Sequence, residues 1–564
     1  MSKADDSTRA TTPGALAERR APWLERLDGL CTPTGILLVS VLIIIALPVT
    51  SSIGDPDFWW HLRTGQLLIA NHLQLLGTDP YTYTVAGHHW TMHEWLAEVL
   101  YALIVRWGGL GPIVLLFSLL TWAGLVCIAL RAWLHTHSRV AVSIGLVVAV
   151  VAAYPIWGPR DQMVDFTFSC FLLLVVERYL TRGGRALWVL PPLFLLWSNL
   201  HGGFVLGLAF LAIVAVAEAC GGRLRMPDPV PSRRVAILGL TTLGCALVSM
   251  INPNGPGILL YAIGTVTSPA QQALILEWQS PNFADWAVRG FAVMLLSLAA
   301  FAIANRRMRA RDAALVVATA ALAFQSVRNL AIFVAAAGPV WIEQFSVLLE
   351  RLGERRGHPA AVAVTQPPDG PPDGAAAPSA TRAPGPPLAM RLTTLLLVAV
   401  LLLVGYAGLR LAPAMAVTPT SAAYDQAYPV CASRWLQSAP RDLRIFDQYG
   451  EGGYLAWSLA GTGDKIFIFG DAALMGDSLL YTYADVVSLR PGWEQILARF
   501  GTQVVLFDTG TPLDAVLRES PQWVRVYSDR YHEAFVLRDQ RTSLNLPAPP
   551  AASPACDGPA PGTT

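Results

Sequence analysis

The sequence predicts a polytopic α-helical membrane protein of about eleven transmembrane helices, followed by an α/β domain outside the cytoplasm. Three observations predict it. The 564-residue chain is 54% hydrophobic and 14% charged, against about 25% charged in soluble proteins, and its mean hydropathy is +0.46. Apolar runs long enough to cross a bilayer recur along most of its length, punctuated by arginine clusters. The stretch 415–540 instead alternates short strand-like runs with helical ones. So much apolar surface excludes a water-soluble enzyme. With 40 basic and 39 acidic residues the net charge is +1, which leaves no electrostatic footprint for nucleic acid.

Residues 1–32 are polar, carry Arg19, Arg20 and Arg26, and read as a cytoplasmic segment. The uncharged run 33–54 that follows is too long for the apolar stretch of a signal peptide and forms the first span. Further runs occupy 107–130, 140–159, 162–176, 186–217, 235–251, 290–305, 313–327, 329–342 and 392–408. Between them stand Arg131/Arg139, Arg178/Arg182/Arg185, Arg223/Arg225/Arg233/Arg234, Arg306/Arg307/Arg309/Arg311 and Arg351/Arg355/Arg356. The positive-inside rule places these clusters in the cytoplasm, so the chain crosses an even number of times between any two. The run 186–217 therefore folds as a hairpin turning at 198–203, with His201 at the outer face. The run 313–342 turns at Arg328-Asn329. The helix 94–107 is expected to lie on or dip into the outer face.

The transmembrane module then spans 33–350, with a first outer loop at 53–93 and a second large one at 252–285. A proline-rich cytoplasmic linker occupies 351–390 and cannot pack a core. The last span is 391–412, and it leaves 415–540 outside the cytoplasm. Residues 541–564 form a loose Pro/Ala-rich tail. Of seven scattered cysteines only Cys431 and Cys556 lie in polar sequence, the one pair a disulfide could join.

Candidate chemistry concentrates in the first outer loop. Asp55-Pro56-Asp57-Phe58-Trp59-Trp60-His61 follows the first span, and Trp90-Thr91-Met92-His93-Glu94-Trp95 closes the loop. Tryptophans suit a membrane interface, and carboxylates with histidines there suit acid/base work on a lipid-borne substrate. Asp57 also stands where a helix N-cap would, and Asp55 precedes a proline, so a cap and a turn account for both equally well. Arg160, Asp161, Asp165, His201 and Arg328 stand at outer helix ends. Arg160-Asp161 reads alternatively as a local ion pair, Arg328 as a partner of Asp285, and Glu277-Trp278 as part of an interfacial helix. Gly450-Glu451-Gly452-Gly453 lacks the Lys-Ser/Thr of a phosphate loop, and the outer aspartates Asp447, Asp471 and Asp477 carry no catalytic signature.

These motifs resemble a group of bacterial multi-spanning proteins related to the GT-C glycosyltransferases, including the protein mannosyltransferase and aminoarabinose transferase branch. The resemblance rests on D-x-D-F-W-W-H-L-x-x-G, on Thr78-Asp79-Pro80-Tyr81-Thr82-Tyr83-Thr84 and on W-x-x-H-E-W-L. It extends to Trp197-Ser198-Asn199-Leu200-His201-Gly202-Gly203, Asn252-Pro253-Asn254-Gly255-Pro256, Glu277-Trp278-Gln279-Ser280-Pro281-Asn282-Phe283 and Tyr449-Gly450-Glu451-Gly452-Gly453-Tyr454-Leu455. It implies a bacterial cytoplasmic-membrane enzyme that takes a sugar from a polyprenyl-phosphate donor and passes it to an acceptor outside the cytoplasm. Asp57 takes the place of the family's outer-loop acid. His61 stands where the mannosyltransferase branch has tyrosine, and His93-Glu94-Trp95-Leu96 replaces its proline-rich motif.

On this reading Asp57 is the acid/base group, helped by Asp55, Glu94 and His93. Arg328, Arg160, His201 and His61 bind the phosphate or the sugar. Asp55 and Asp57 could instead hold Mg²⁺ or Mn²⁺ through hard oxygen ligands. Two other classes remain open: a transporter or flippase for a lipid-linked sugar, marked by buried charges within spans, and a scaffold presenting the outer domain. A cavity at Asp57 favours the enzyme, and a flat outer face favours the scaffold.

Overall fold

The computed structural model describes residues 32–223, 228–355, 388–416, 418, 424 and 427–548. The N-terminal segment, most of the linker and most of the tail lie outside the described residues. Cys431 is disulfide-bonded; Cys556, the expected partner, lies outside the described residues.

The first helix, α1 (Pro33–Ile44), is capped by the Thr32 hydroxyl, which accepts the Gly35 amide at 3.2 Å. The first outer loop folds around α2 (Phe58–Ala70), which lies against α3 (Trp95–Gly108). Next come α4 (Gly111–Trp133), α5 (Arg139–Ala152) and α6 (Gln162–Arg182). The run 186–217 breaks as expected into α7 (Leu190–Leu200) and α8 (Phe204–Arg223), with His201 between them. After α9 (Ser232–Ser249), the second outer loop carries α10 (Gly257–Thr267) and α11 (Pro269–Leu274). Then follow α12 (Arg289–Asn305), α13 (Ala310–Gln325) and α14 (Leu330–Arg355), the last two joined by a turn at Val327–Asn329. The final apolar helix is α15 (Leu388–Ala416).

Among the described residues, five helical segments are long and apolar enough to cross a membrane: Gly111–Trp133, Phe204–Gly221, Trp286–Asn305, Val327–Glu354 and Leu397–Ala416. Shorter apolar helices, Pro33–Ile44 and Arg139–Ala152 among them, accompany these. The chain is an integral membrane protein. Helix α14 runs well past the apolar stretch 329–342, because Arg309 grips Glu343 at 2.7 and 2.9 Å and Arg131 and Arg311 turn inward. Arg311 pairs with Glu177 at 2.6 Å and Glu218 at 2.8 Å, Arg131 pairs with Asp312 at 2.9 Å, and His135 meets Glu177 at 2.8 Å. These arginines are buried partners of carboxylates, not solvated members of a cytoplasmic cluster.

The C-terminal domain, which the sequence reading expects on the outer side, starts with α16 (Val430–Gln437) and builds one five-stranded sheet. Its strands are β1 (Arg444–Phe446), β2 (Lys465–Ile466), β3 (Val504–Asp508), β4 (Trp523–Ser528) and β5 (His532–Leu537), in the order β2-β1-β3-β5-β4. The first three are parallel, with Ile445 opposite Val504, while β5 runs antiparallel to β3, with Asp508 opposite His532. Helices α17 (Gly452–Ser458), α18 (Ala472–Val487), α19 (Trp493–Phe500) and α20 (Pro512–Glu519) connect them. Val504–Phe507 are buried on both faces, as a covered parallel strand requires.

The Thr78–Thr84 motif is part of this sheet. Tyr83 donates its amide to the Ile466 carbonyl at 3.2 Å, and Ile466 donates to the Tyr81 carbonyl at 3.1 Å. The Asp79 carboxylate fixes the turn by accepting the Tyr81 and Thr82 amides at 2.8 and 2.9 Å. The first outer loop thus adds an edge to β2 and ties the two ends of the chain together.

Candidate active site

A cavity of about 530 Å³ opens between the first outer loop, the second outer loop and the outer domain. Its wall includes Asp55, Asp57, His61, His93, Glu94, His201 and Arg328, seven of the eight candidates, drawn from four separate stretches of sequence. Arg160 stands behind it.

Asp57 takes the N-cap position of α2 without a side-chain capping bond. Its Oδ1 instead accepts the Trp60 indole N–H at 3.1 Å, which turns the carboxylate towards the cavity. Asp55 is the group spent locally, since its Oδ1 accepts the Asp57 amide at 3.0 Å. Burial pushes the Asp57 carboxyl up to about 8, and the neighbouring Asp55 charge adds to the effect. Gly470 allows the outer domain to approach: a Cβ there would lie 1.5 Å from Asp57 Oδ1.

The two arginines differ. Arg160 is neutralised by Glu277 Oε1 at 2.7 Å and stands 3.6 Å from Asp55 Oδ2. It makes no ion pair with its neighbour Asp161. Glu277 lies on a single turn, Leu276–Trp278, instead of an interfacial helix, and that turn brings it into the cavity. Arg160 and then Arg328 hold its carboxyl below the usual range against the effect of burial. Arg328 makes no ion pair among the described residues. Its guanidinium stands 5.2 Å over the Trp278 ring, a cation–π contact. Asp285, the alternative partner, is used at a turn, where it accepts the Ala287 amide at 2.9 Å.

On the other side of the cavity, Glu94 is held by three imidazoles. His61 Nε2 meets its Oε2 at 3.1 Å, while His93 and His201 bring Nε2 to Oε1 at 2.9 and 3.1 Å. Burial alone would raise Glu94, but His93, His201 and His61 hold it well below the carboxylate range. The imidazoles are braced in turn: His201 Nδ1 by Asp165 at 2.6 Å, and His61 Nδ1 by Glu98 at 3.4 Å. Asp165 also accepts the Trp197 indole at 2.8 Å, so the Trp197–Gly203 motif and the Asp165 carboxylate form one unit.

Asp55 and Asp57 gather no third histidine, cysteine or carboxylate ligand among the described residues. His61, Glu94 and Asp161 do place ligand atoms within 4.8 Å of one another and could take a divalent ion. Tyr101 donates to Asp161 beside them. The outer domain supplies Gln448, Tyr449, Gly470 and Asp471 to the wall. Asp471 accepts the Trp90 indole at 2.7 Å. Of these wall residues, the sequence marks Tyr449 within a motif and Asp471 as a residue without a catalytic role, and it gives no signal that they reach the Asp57 cavity.

A second pocket of about 180 Å³ shares His93, Glu94, His201, Trp278 and Arg328 with the first. It continues among Val205, Leu206, Val266 and Leu322, apolar side chains of α8, α10 and α13. Arg328 stands where the polar cavity and the apolar pocket meet.

Together these features define a mostly helical membrane protein with a site roofed by a small sheet domain. Comparison with solved structures finds this fold among GT-C glycosyltransferases. The archaeal oligosaccharyltransferase AglB from Archaeoglobus fulgidus, in complex with an inhibitory peptide and a dolichol-phosphate, matches at a TM-score of 0.53 and 11% identity, over 86% of this chain and 70% of that one. ArnT from Cupriavidus metallidurans bound to undecaprenyl phosphate matches at 0.46 and 12%, over 91% and 97%. No family model and no curated protein matches the chain.

Proposed function

We propose that the chain is a polyprenyl-phosphate-dependent glycosyltransferase that transfers a sugar from its lipid carrier to an acceptor outside the cytoplasm. The observation that carries this reading is the position of Arg328. A lipid phosphate needs a cation at the junction of a polar and an apolar volume, and Arg328 has its guanidinium there with no ion pair among the described residues. A guanidinium grips phosphate through two parallel hydrogen bonds. The carrier chain then follows the apolar pocket, and the sugar enters the polar cavity.

Asp57 is the general base in this reading. It faces the cavity, and a carboxyl near 8 is a stronger base than an ordinary one. Asp55 and Arg160 with Glu277 fix its surroundings, and Glu94 with its histidines forms the opposite wall. We assign the chain about eleven spans in the bacterial cytoplasmic membrane, with the N-terminus inside and the outer domain outside. The transporter reading loses its main support, because Glu218 and Asp165 are paired with Arg311 and His201.

Binding of undecaprenyl phosphate to the purified protein, followed through the fluorescence of Trp278 and its neighbours, tests the assignment. Arg328→Lys should lose roughly 10- to 100-fold in affinity, the range of a lost charge-assisted hydrogen bond, and Arg328→Gln should lose more. Unchanged binding in both variants, with the protein still inserted, rejects the role. Analysis of lipids that accumulate in a deletion strain identifies the sugar.

A further inference from the structure

The motif Gly450-Glu451-Gly452-Gly453 is not explained by the cavity. Glu451 stands at the N-cap of α17 without capping it. Its buried carboxylate crosses instead to the far strand, where Oε1 lies 2.8 Å from His532 Nε2. Asp508, opposite His532 in the β3–β5 ladder, brings Oδ1 to 3.4 Å from the same Nε2. The three side chains place ligand atoms within 4.8 Å of one another. They gather where β3 ends, at the carboxyl edge of the parallel strands, where open α/β sheets usually bind ligands.

One imidazole N–H cannot serve both carboxylates. Glu451 Oε2 is buried and has no hydrogen-bond partner among the described residues, and the residue is only 5% exposed. An orphaned buried carboxylate oxygen is costly. A single ion among the three would satisfy it, since ligands at ~2.1 Å on a tetrahedral ion lie about 3.4 Å apart. The surroundings are those of a metal site. Asp529 Oδ1 stands at ion-pair distance, 3.7 Å, from His532 Nδ1, which has no hydrogen-bond partner among the described residues, and accepts the Tyr531 and His532 amides at 2.8 and 2.7 Å. Gln448 donates to Asp508 Oδ2 at 2.7 Å and leaves Oδ1 free. Such outer contacts orient metal ligands. Asp508 is 35% exposed and gives the ion a way in.

We propose that Glu451, Asp508 and His532 bind a divalent transition ion, Zn²⁺ or Mn²⁺, at a site separate from the glycosyl-transfer cavity. One imidazole with two carboxylates and open positions suits these ions. Its role is positional. Gln448 and Tyr449, just before Glu451, line the cavity. Gly453, just after it, packs so closely on the first outer loop that a Cβ would lie 2.6 Å from the Pro56 carbonyl. The ion would therefore pin the segment that joins the sheet to the Asp57 loop.

The test is elemental analysis of the full-length protein in detergent, stripped with EDTA, exposed separately to Zn²⁺ and Mn²⁺, and desalted. The expected result is an ion that is lost in Glu451→Gln and His532→Ala, one fewer per chain than in the wild type whether or not His61, Glu94 and Asp161 hold another, with a metal-dependent rise in Tm that these variants lack. Asp508→Asn, at a half-exposed position, provides the same readout if His532→Ala does not fold. Glu94→Gln and Asp57→Asn should keep the ion. No retained ion in folded wild-type protein, or an ion lost in Glu94→Gln and kept in Glu451→Gln, overturns the proposal. Metal content is read without any transfer assay, so the result stands apart from the assignment of the cavity.

Discussion

Asp57 illustrates how one position can look like a helix cap and act otherwise. It occupies the cap site of α2, yet the Trp60 indole takes its oxygen and no capping bond forms. If it is the base, Asp57→Asn should lower turnover by ~10²–10⁴-fold while binding of undecaprenyl phosphate persists. The pH dependence has a definite sign. A base is active when ionised, and burial first and then Asp55 push this carboxyl up to about 8. The rate of the wild-type enzyme should therefore rise with pH and level off above about 8; a flat profile between 6 and 9 would argue against it. Gly470 makes a second prediction. A methyl group placed 1.5 Å from Asp57 Oδ1 must displace either the carboxylate or the outer domain. Gly470→Ala should cost roughly 10²-fold in turnover, the effect of a misplacement of about 1 Å, with the Tm little changed.

At the scale of elements, hairpins and strands were legible and side-chain partners were not. The turn residues around His201 and Arg328 broke two long apolar runs where the structure breaks them. The five strands lie within 415–540, the stretch where short strand-like runs alternate with helical ones, because alternation and β-branching carry that signal. Helices α10, α11 and α18 went unread: α10 and α11 sit in a stretch classed as loop, and α18 contains a Gly476 with φ of 74° that interrupts its periodicity. The arginine clusters recur between the apolar runs, but composition could not show that Arg131 and Arg311 turn inward. Their network predicts a specific failure. Arg311→Met leaves Glu177 and Glu218 buried without their main counter-charge, and breaking a buried pair costs about 3–5 kcal/mol. The variant should unfold at markedly lower temperature in detergent, while Arg178→Met on the same side should not.

The whole molecule is joined by residues that are distant in sequence. Candidates from both outer loops and two hairpin turns converge because each stands where an apolar run ends, and helix ends of one membrane bundle face the same water layer. That convergence was readable from the spacing of the runs. The contribution of the outer domain was not, because contacts such as Trp90 with Asp471 join residues 381 positions apart. The assigned topology makes a prediction at this scale. Alkaline phosphatase fused after Gln540 should be active in a bacterial host, and green fluorescent protein at the same point should be dark. The reverse pattern would turn the cavity towards the cytoplasm.

The late position of Gly470 and Asp471 bears on how the protein is made. Asp57 and the first outer loop leave the ribosome early, but the wall that closes over them is translated only after every apolar helix has been inserted. A nascent or prematurely terminated chain therefore has the carboxylates and no enclosed cavity. Its Asp57 carboxylate stays open to water until Gly470 and Asp471, which wall the cavity, have been made.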